Sequence, residues 1–168
     1  MGRTRLGLLS GASRAFADHG LRGSTMQSVA AAAGVAKATL YNHFRTKDDV
    51  VTALLALELD RLTTLAAGLS LERALATLSD ELGAHPVLRR MAATEPDALA
   101  ELLAIDPDRW AELTDRLAGA LRVDADGAEI AARWLLGVVV QPGRSTTRHR
   151  HAARLATVLM PTGAAAPA

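Results

Sequence analysis

The sequence predicts an all-α protein, and three observations carry that prediction. Apolar residues recur at helical spacing almost everywhere, and no four-residue run alternates strictly enough to read as a strand. Between the periodic stretches fall Gly, Pro, Ser, Thr and Asp at positions that start and stop helices. The 168 residues are 49% hydrophobic and 22% charged, a globular composition long enough for one domain or two small modules sharing a core.

The elements follow in order. Residues 3–19 predict a first helix, with Leu6, Leu9, Ala12 and Phe16 on one stripe and Gly20 as its stop. After the turn "RGST", Thr25 caps "MQSVAAAA", which Gly34 ends. The three residues "GVA" then connect to "KATLYNHF", in which Val35, Leu40 and Phe44 face the core. Thr46 caps the next helix, with Asp48 and Asp49 in the first turn, where the helix dipole favours negative charge. That helix runs from 47 to about 66, roughly 30 Å at 1.5 Å per residue, on a stripe of Val50, Leu54, Leu57, Leu62 and Leu65.

Further along, Gly68 and Ser70 precede "LERALATLSDELGA", Pro86 opens "VLRRMAA", and Thr94 with Pro96 starts "DALAELLAI". Asp106-Pro107 is a cap followed by a first-position proline for "DRWAELTDRLAGAL". Residues 128–140 form another helix, stopped by "QPG", and Ser145 caps the last one through about Leu159. The tail, 161–168, is expected to be disordered.

Composition excludes several classes. Without cysteine there is no disulfide, thiolate zinc site or cysteine nucleophile, which fits a reducing compartment. No stretch approaches the roughly 18 apolar residues of a membrane span. The N-terminal run, interrupted by Ser10, Ser13 and Arg14, reads as an amphipathic helix and not as a signal peptide. A cytoplasmic protein with no membrane partner is therefore expected. Asp48-Asp49 and Asp80-Glu81 are adjacent and point to different helix faces. His149 and His151, two apart, do not converge on a metal and instead extend a basic surface with Arg144, Arg148, Arg150 and Arg154. Neither a glycine-rich phosphate loop nor a nucleophile elbow is present, so neither an enzyme nor a cofactor is expected.

Charge is unevenly placed. Residues 1–47 carry seven basic groups against Asp18 alone, a net +6, while the other 121 residues carry twelve against seventeen, a net −5. A basic first module on an acidic body suits a polyanionic partner for that module, or else an uneven solvated surface. The helix, glycine turn and short helix of 26–44 have the form of a helix-turn-helix, which presents the start of its second helix to base edges. Lys37, Ala38 and Thr39 occupy that start: Lys37 can donate to guanine O6 or N7, and the two methyl groups can meet a thymine methyl. Tyr41, Lys47 and Thr25 suit phosphate oxygens. Packing against the first helix is the alternative for Tyr41, and a solvated helix start is the alternative for Lys47.

The stretch "FADHGLRGSTMQSVAAAAGVAKATLYNHFRTKDDVVTALL" resembles the N-terminal domain of the TetR/AcrR family of bacterial transcriptional regulators. The matching residues are F-x-x-x-G at 16–20, T-x-x-x-V-A at 25–30, A-G-V at 33–35, T-L-Y-x-H-F at 39–44 and Lys47 followed by two acids. The resemblance implies phosphate contacts from Thr25, Tyr41, His43 and Lys47 and base-proximal positions at Gln27, Lys37, Ala38 and Thr39, with Asn42 a further candidate beside Tyr41. For His43 the alternative is an ordinary surface or core histidine. It implies a DNA-binding domain over 1–46 and a helical ligand-binding and dimerisation domain over 47–160.

The partners so implied are double-stranded DNA carrying a palindromic operator, a second copy of the chain, and an unidentified small effector of hydrophobic character. Ile130, Trp134, Leu135, Val138, Leu155, Val158 and Leu159 are candidates for the dimer interface, with packing inside the subunit as the alternative. His85, Leu88, Met91, Leu103 and Trp110 are candidates for the ligand pocket, and plain core is the alternative for each. The chain is shorter than most of the family, and its final helix is short and ends at Pro161, which limits both cavity and bundle. A different functional class is a helical protein-interaction module whose helix-turn-helix no longer binds DNA; the polar set at Thr25, Lys37, Thr39, Tyr41 and Lys47 argues against it.

Overall fold

The structure, a computed structural model, describes residues 3–159. These residues form helices without any strand: α1 (Arg3–Gly23), α2 (Met26–Ala33), α3 (Lys37–Tyr41), α4 (Lys47–Ala66), α5 (Leu71–Ala84), α6 (Pro86–Thr94), α7 (Pro96–Leu103), α8 (Pro107–Leu121), α9 (Ala125–Val140) and α10 (Ser145–Leu159). The all-α reading holds. The expected disordered tail lies outside the described residues. Two compact units divide the chain discontinuously: residues through Asp60 with His85–Ala104, and Arg61–Ala84 with Ile105 onward.

In the first unit α1 packs on α2 and on α6. Its buried face is Leu8, Leu9, Ala12, Ala15 and Phe16; Leu6, expected on that stripe, lies at its edge and is exposed. Gly20 interrupts α1 at φ 77° and ψ 172°, a backbone that only glycine adopts without strain, so the expected stop is a kink followed by a final turn. Gly11 has a different purpose. A Cβ there would lie 2.5 Å from the Cα of Ala33, so α1 and α2 cross at backbone contact.

Thr25 caps α2 as expected: its hydroxyl accepts from Ser28 N at 3.1 Å, and Ser28 Oγ accepts from Thr25 N at 2.9 Å. Gly34, in the left-handed region, closes α2. The regular part of the next helix ends at Tyr41, short of the expected Phe44, although Phe44 N still donates to Leu40 O at 2.9 Å. The chain turns at Asn42 and His43 so that the Phe44 ring enters the core beside Leu40. Thr46 and Asp49 then cap α4 reciprocally, Thr46 N donating to Asp49 Oδ2 at 2.9 Å and Asp49 N to Thr46 Oγ1 at 3.1 Å. Hydrogen bonding to the carboxylate, first from the Thr46 amide and then from the Thr46 side chain, holds the Asp49 carboxyl below the usual carboxylate range. Between α6 and α7 the start residue is Glu95 and not Thr94, whose hydroxyl turns back to donate to Arg90 O at 2.9 Å.

In the second unit α5 packs on both α9 and α10, and α8 packs on α9. The core joins Ala66, Ala74, Leu75, Leu78, Leu117, Leu121, Ala128, Leu135, Ala152 and Leu159. α9 starts at Ala125, three residues before the expected 128, because the Asp124 carboxylate caps it by accepting from Gly127 N at 2.8 Å. Ser145 does not cap α10; its hydroxyl donates to Asp80 Oδ1 at 2.8 Å. Arg148 leaves the expected basic surface as well. It is largely buried and donates to Asp80 Oδ1 at 2.6 Å and to Pro142 O at 2.7 Å, tying α10 to α5 and to the preceding loop. His149 Nε2 lies 2.6 Å from Asp80 Oδ2. Partial burial pushes the Asp80 carboxyl up, and the bonds from His149, Ser145 and Arg148 outweigh it, leaving the group below its ordinary range.

Candidate nucleic-acid interface

The helix-turn-helix is anchored by what it buries. Val29 and Leu40 are 0% exposed and Phe44 is 3% exposed, which fixes α2, α3 and the following turn on the α1 core. On the other side Gln27, Lys37, Ala38, Tyr41, Asn42 and His43 are exposed, and Thr39 is half-buried. Thr25 is exposed but has spent its hydroxyl on the α2 cap, leaving the oxygen's second lone pair and its proton. Tyr41 stands with its ring in water, and Lys37 Nζ lies 5.7 Å from the ring centroid. The phenol therefore has a free surface and an adjacent cation, the combination that a phosphate oxygen accepts.

Lys47, expected to meet a phosphate oxygen, is half-buried here. Its Nζ turns inward and donates to Leu21 O at 2.8 Å and to Ser24 O at 3.2 Å. It braces the turn before α2. Two further cations went without a role in the motif reading. Arg45 is exposed in the turn after α3, and the Arg5 guanidinium sits 4.5 Å from the centroid of the Phe44 ring. Their charge was legible, but their neighbours were not.

The candidate pocket residues divide between the units. Met91 is buried in the first, where Leu88 and Leu103 are half-buried. His85 starts α6 by accepting from Leu88 N at 3.4 Å through Nδ1, and its Nε2 lies 3.7 Å from Glu58. Trp110 belongs to the second unit, with the Arg133 guanidinium 5.1 Å from its ring centroid. A shallow cleft of about 220 Å³ in the second unit is lined instead by Trp134, Val138, Pro142, Arg144, Thr147 and His151 among others. Of the dimer candidates, Leu135, Val138 and Leu159 are buried within the subunit, Trp134 and Leu155 are half-buried, and Ile130 and Val158 are exposed.

Comparison with known proteins agrees with this geometry. Residues 8–54 match the model of the bacterial regulatory proteins of the tetR family. A stretch of 108 residues, 62% of this chain and 54% of the other, is 29% identical to the HTH-type transcriptional repressor AcnR of Corynebacterium diphtheriae. Another of 116 residues, 67% and 59% of the two chains, is 33% identical to the HTH-type transcriptional repressor Rv1474c of Mycobacterium tuberculosis. The chain thus spans a little over half the length of these curated relatives. Among solved structures, the TetR family repressor AlkX of Dietzia sp. superposes with a TM-score of 0.66 at 20% identity, covering 92% of this chain and 94% of that one. A TetR transcription regulator of Haloarcula marismortui gives 0.66 at 18%, covering 93% and 97%. The structural likenesses give the fold; with the motif, the matched segment and the repressor relatives, they show that this chain belongs to the TetR family of bacterial regulatory proteins.

Proposed function

We propose that the chain is a dimeric, sequence-specific DNA-binding transcriptional regulator, a repressor whose hold on a palindromic operator is relieved by a small apolar ligand. The observation that carries the reading is the division across α2, α3 and the turn that follows: the large apolar side chains Met26, Val29 and Leu40 are buried, and Gln27, Lys37, Tyr41, Asn42 and His43 all face water. A helix-turn-helix kept only for packing has no use for that outward set. Lys37, Ala38 and Thr39 take the base edges with Gln27 close by; Thr25, Tyr41 and His43 take phosphates, with Asn42 beside them. Lys47 acts on the backbone through the turn it braces, or by swinging out to a phosphate when DNA arrives. That both curated relatives are named repressors supports repression.

Dimerisation through α9 and α10 is supported by the apolar side chains that remain in water there, Ile130, Val140 and Val158, beside half-buried Trp134. Two heads about one DNA turn apart, roughly 34–36 Å, require a palindromic site. The effector is apolar and contacts Leu88, Met91 and Leu103 with His85 as the polar group, or Trp110 in the second unit. It relieves repression by binding the non-operator state more tightly, and only to the extent of that difference. Selection of bound sequences from a random duplex pool at near-physiological salt tests the reading. A palindrome with half-sites one turn apart is expected; a folded dimer that enriches no sequence would overturn it.

A further inference from the structure

We propose that Glu95 is a positioning residue for DNA recognition: from the break between α6 and α7, its carboxylate fixes the α1 turn on which Thr25 and Lys47 depend. This rests on the DNA-binding reading above. The kink at Gly20 ends regular helical bonding in α1 and leaves the following amides to find other acceptors. Glu95 supplies them. Leu21 N donates to its Oε2 at 3.0 Å, and Arg22 N donates to Oε2 at 3.1 Å and Oε1 at 3.2 Å. A Cβ at Gly20 would overlap this carboxylate, so the glycine admits Glu95 as well as the kink.

The carbonyl side of the same turn is held too. Ser24 Oγ, buried, lies 2.7 Å from Gly20 O and 3.0 Å from Ala15 O, while Lys47 Nζ donates to Leu21 O and Ser24 O. Three side chains from three places in the sequence thus fix residues 20–24, and Thr25, the cap of α2, follows at once. A second observation sets Glu95 apart. It occupies the cap position of α7, yet its side chain makes no bond to that helix and is spent wholly on α1. An acid at that site serves its own helix by default. Here it serves the reading head, from more than 70 residues away.

Glu95→Ala and Glu95→Gln separate positioning from mere stability, because glutamine keeps one acceptor oxygen. Amide exchange at Leu21 and Arg22 and affinity for the selected operator are measured well below the melting transition. In Glu95→Ala both amides exchange faster, and operator affinity falls about tenfold, the size of a lost charge-assisted hydrogen bond. Affinity for random DNA falls less, since a misplaced head keeps its charges. Glu95→Gln lies between. Operator affinity unchanged in Glu95→Ala, or lowered only by the unfolded fraction, overturns the inference and leaves the DNA reading intact. Wild-type protein that selects no DNA overturns the reading itself, and the role given to Glu95 with it.

Discussion

The α2–α3 corner and the α9–α10 pair both leave side chains in water that an isolated fold would not require, and they do so with opposite chemistry. At the corner the exposed set is polar and cationic over an apolar base that is fully covered, with Leu40 at 0%. On α9 and α10 the exposed set is apolar, Ile130, Val140 and Val158, over a base that is likewise covered. A polar surface loses nothing by staying wet until a charged partner arrives. An apolar one costs free energy in water for as long as it lacks a partner. The first chemistry suits an encounter that comes and goes with salt and ligand, the second a permanent association.

The comparison breaks most sharply if the base of the corner is removed. Leu40→Ala deletes a side chain with no exposed surface and is expected to cost about 2–5 kcal/mol of stability, read from denaturant unfolding. DNA binding should vanish with it, while α9 and α10, in the other unit, should keep the chain dimeric in sedimentation. A variant that loses its dimer together with its DNA binding would show that the two surfaces are not independent.

Val158→Asp tests the apolar side. Val158 is 73% exposed, so the folded subunit should tolerate the charge with a stability change within about 0.5 kcal/mol. Buried against a second copy, an unpaired carboxylate is expected to weaken self-association at least 100-fold, about 3 kcal/mol. A dimer of undiminished affinity would place the interface elsewhere. Lys37→Ala comes next: a loss of about 1–3 kcal/mol for the selected operator, with relaxed base preference at one position, measured by competition among operator variants. If Lys37→Ala weakens all sequences alike, Lys37 contacts a phosphate and not a base.

Local chemistry was legible in the sequence; partners distant in the chain were not. Thr25, Gly34, Thr46 with Asp49, and Asp106 act within four residues of themselves, and each marks a helix end in the structure. The helix at 47–66 and that at 71–84 came out with their expected bounds for the same reason. Side chains that act across the fold were misplaced. Ser145 has the composition of a cap but serves Asp80, 65 residues away, and Arg148 is drawn from the surface by the same carboxylate. The inward bonds of Lys47 gave no sign beside its reading as a phosphate contact, because its acceptors, Leu21 O and Ser24 O, belong to a turn whose shape Gly20 sets. Glu95 carried no signal at all, since a glutamate before a proline is an ordinary helix start.

The smallest expected effect is the most specific, because it has a sign in pH. Asp80 accepts from Ser145, Arg148 and His149 at once, and its folded carboxyl lies below its ordinary range. A carboxylate depressed on folding contributes stability that is fully present above its unfolded value, about 3.9, and is lost as pH falls through the folded one. Asp80→Asn should therefore cost about 1 kcal/mol at neutral pH, less than a buried bond network would suggest, because the Asp80 side chain is 40% exposed and solvent screens it. The difference between wild type and variant should begin to close as pH falls below about 4, where the unfolded carboxyl takes up its proton, and go on closing as pH falls through the lower folded value. Urea unfolding of both proteins from neutral pH down to about 3 measures that gap. A gap that stays constant with pH would mean that the side chain's shape, and not its charge, holds α10 to α5.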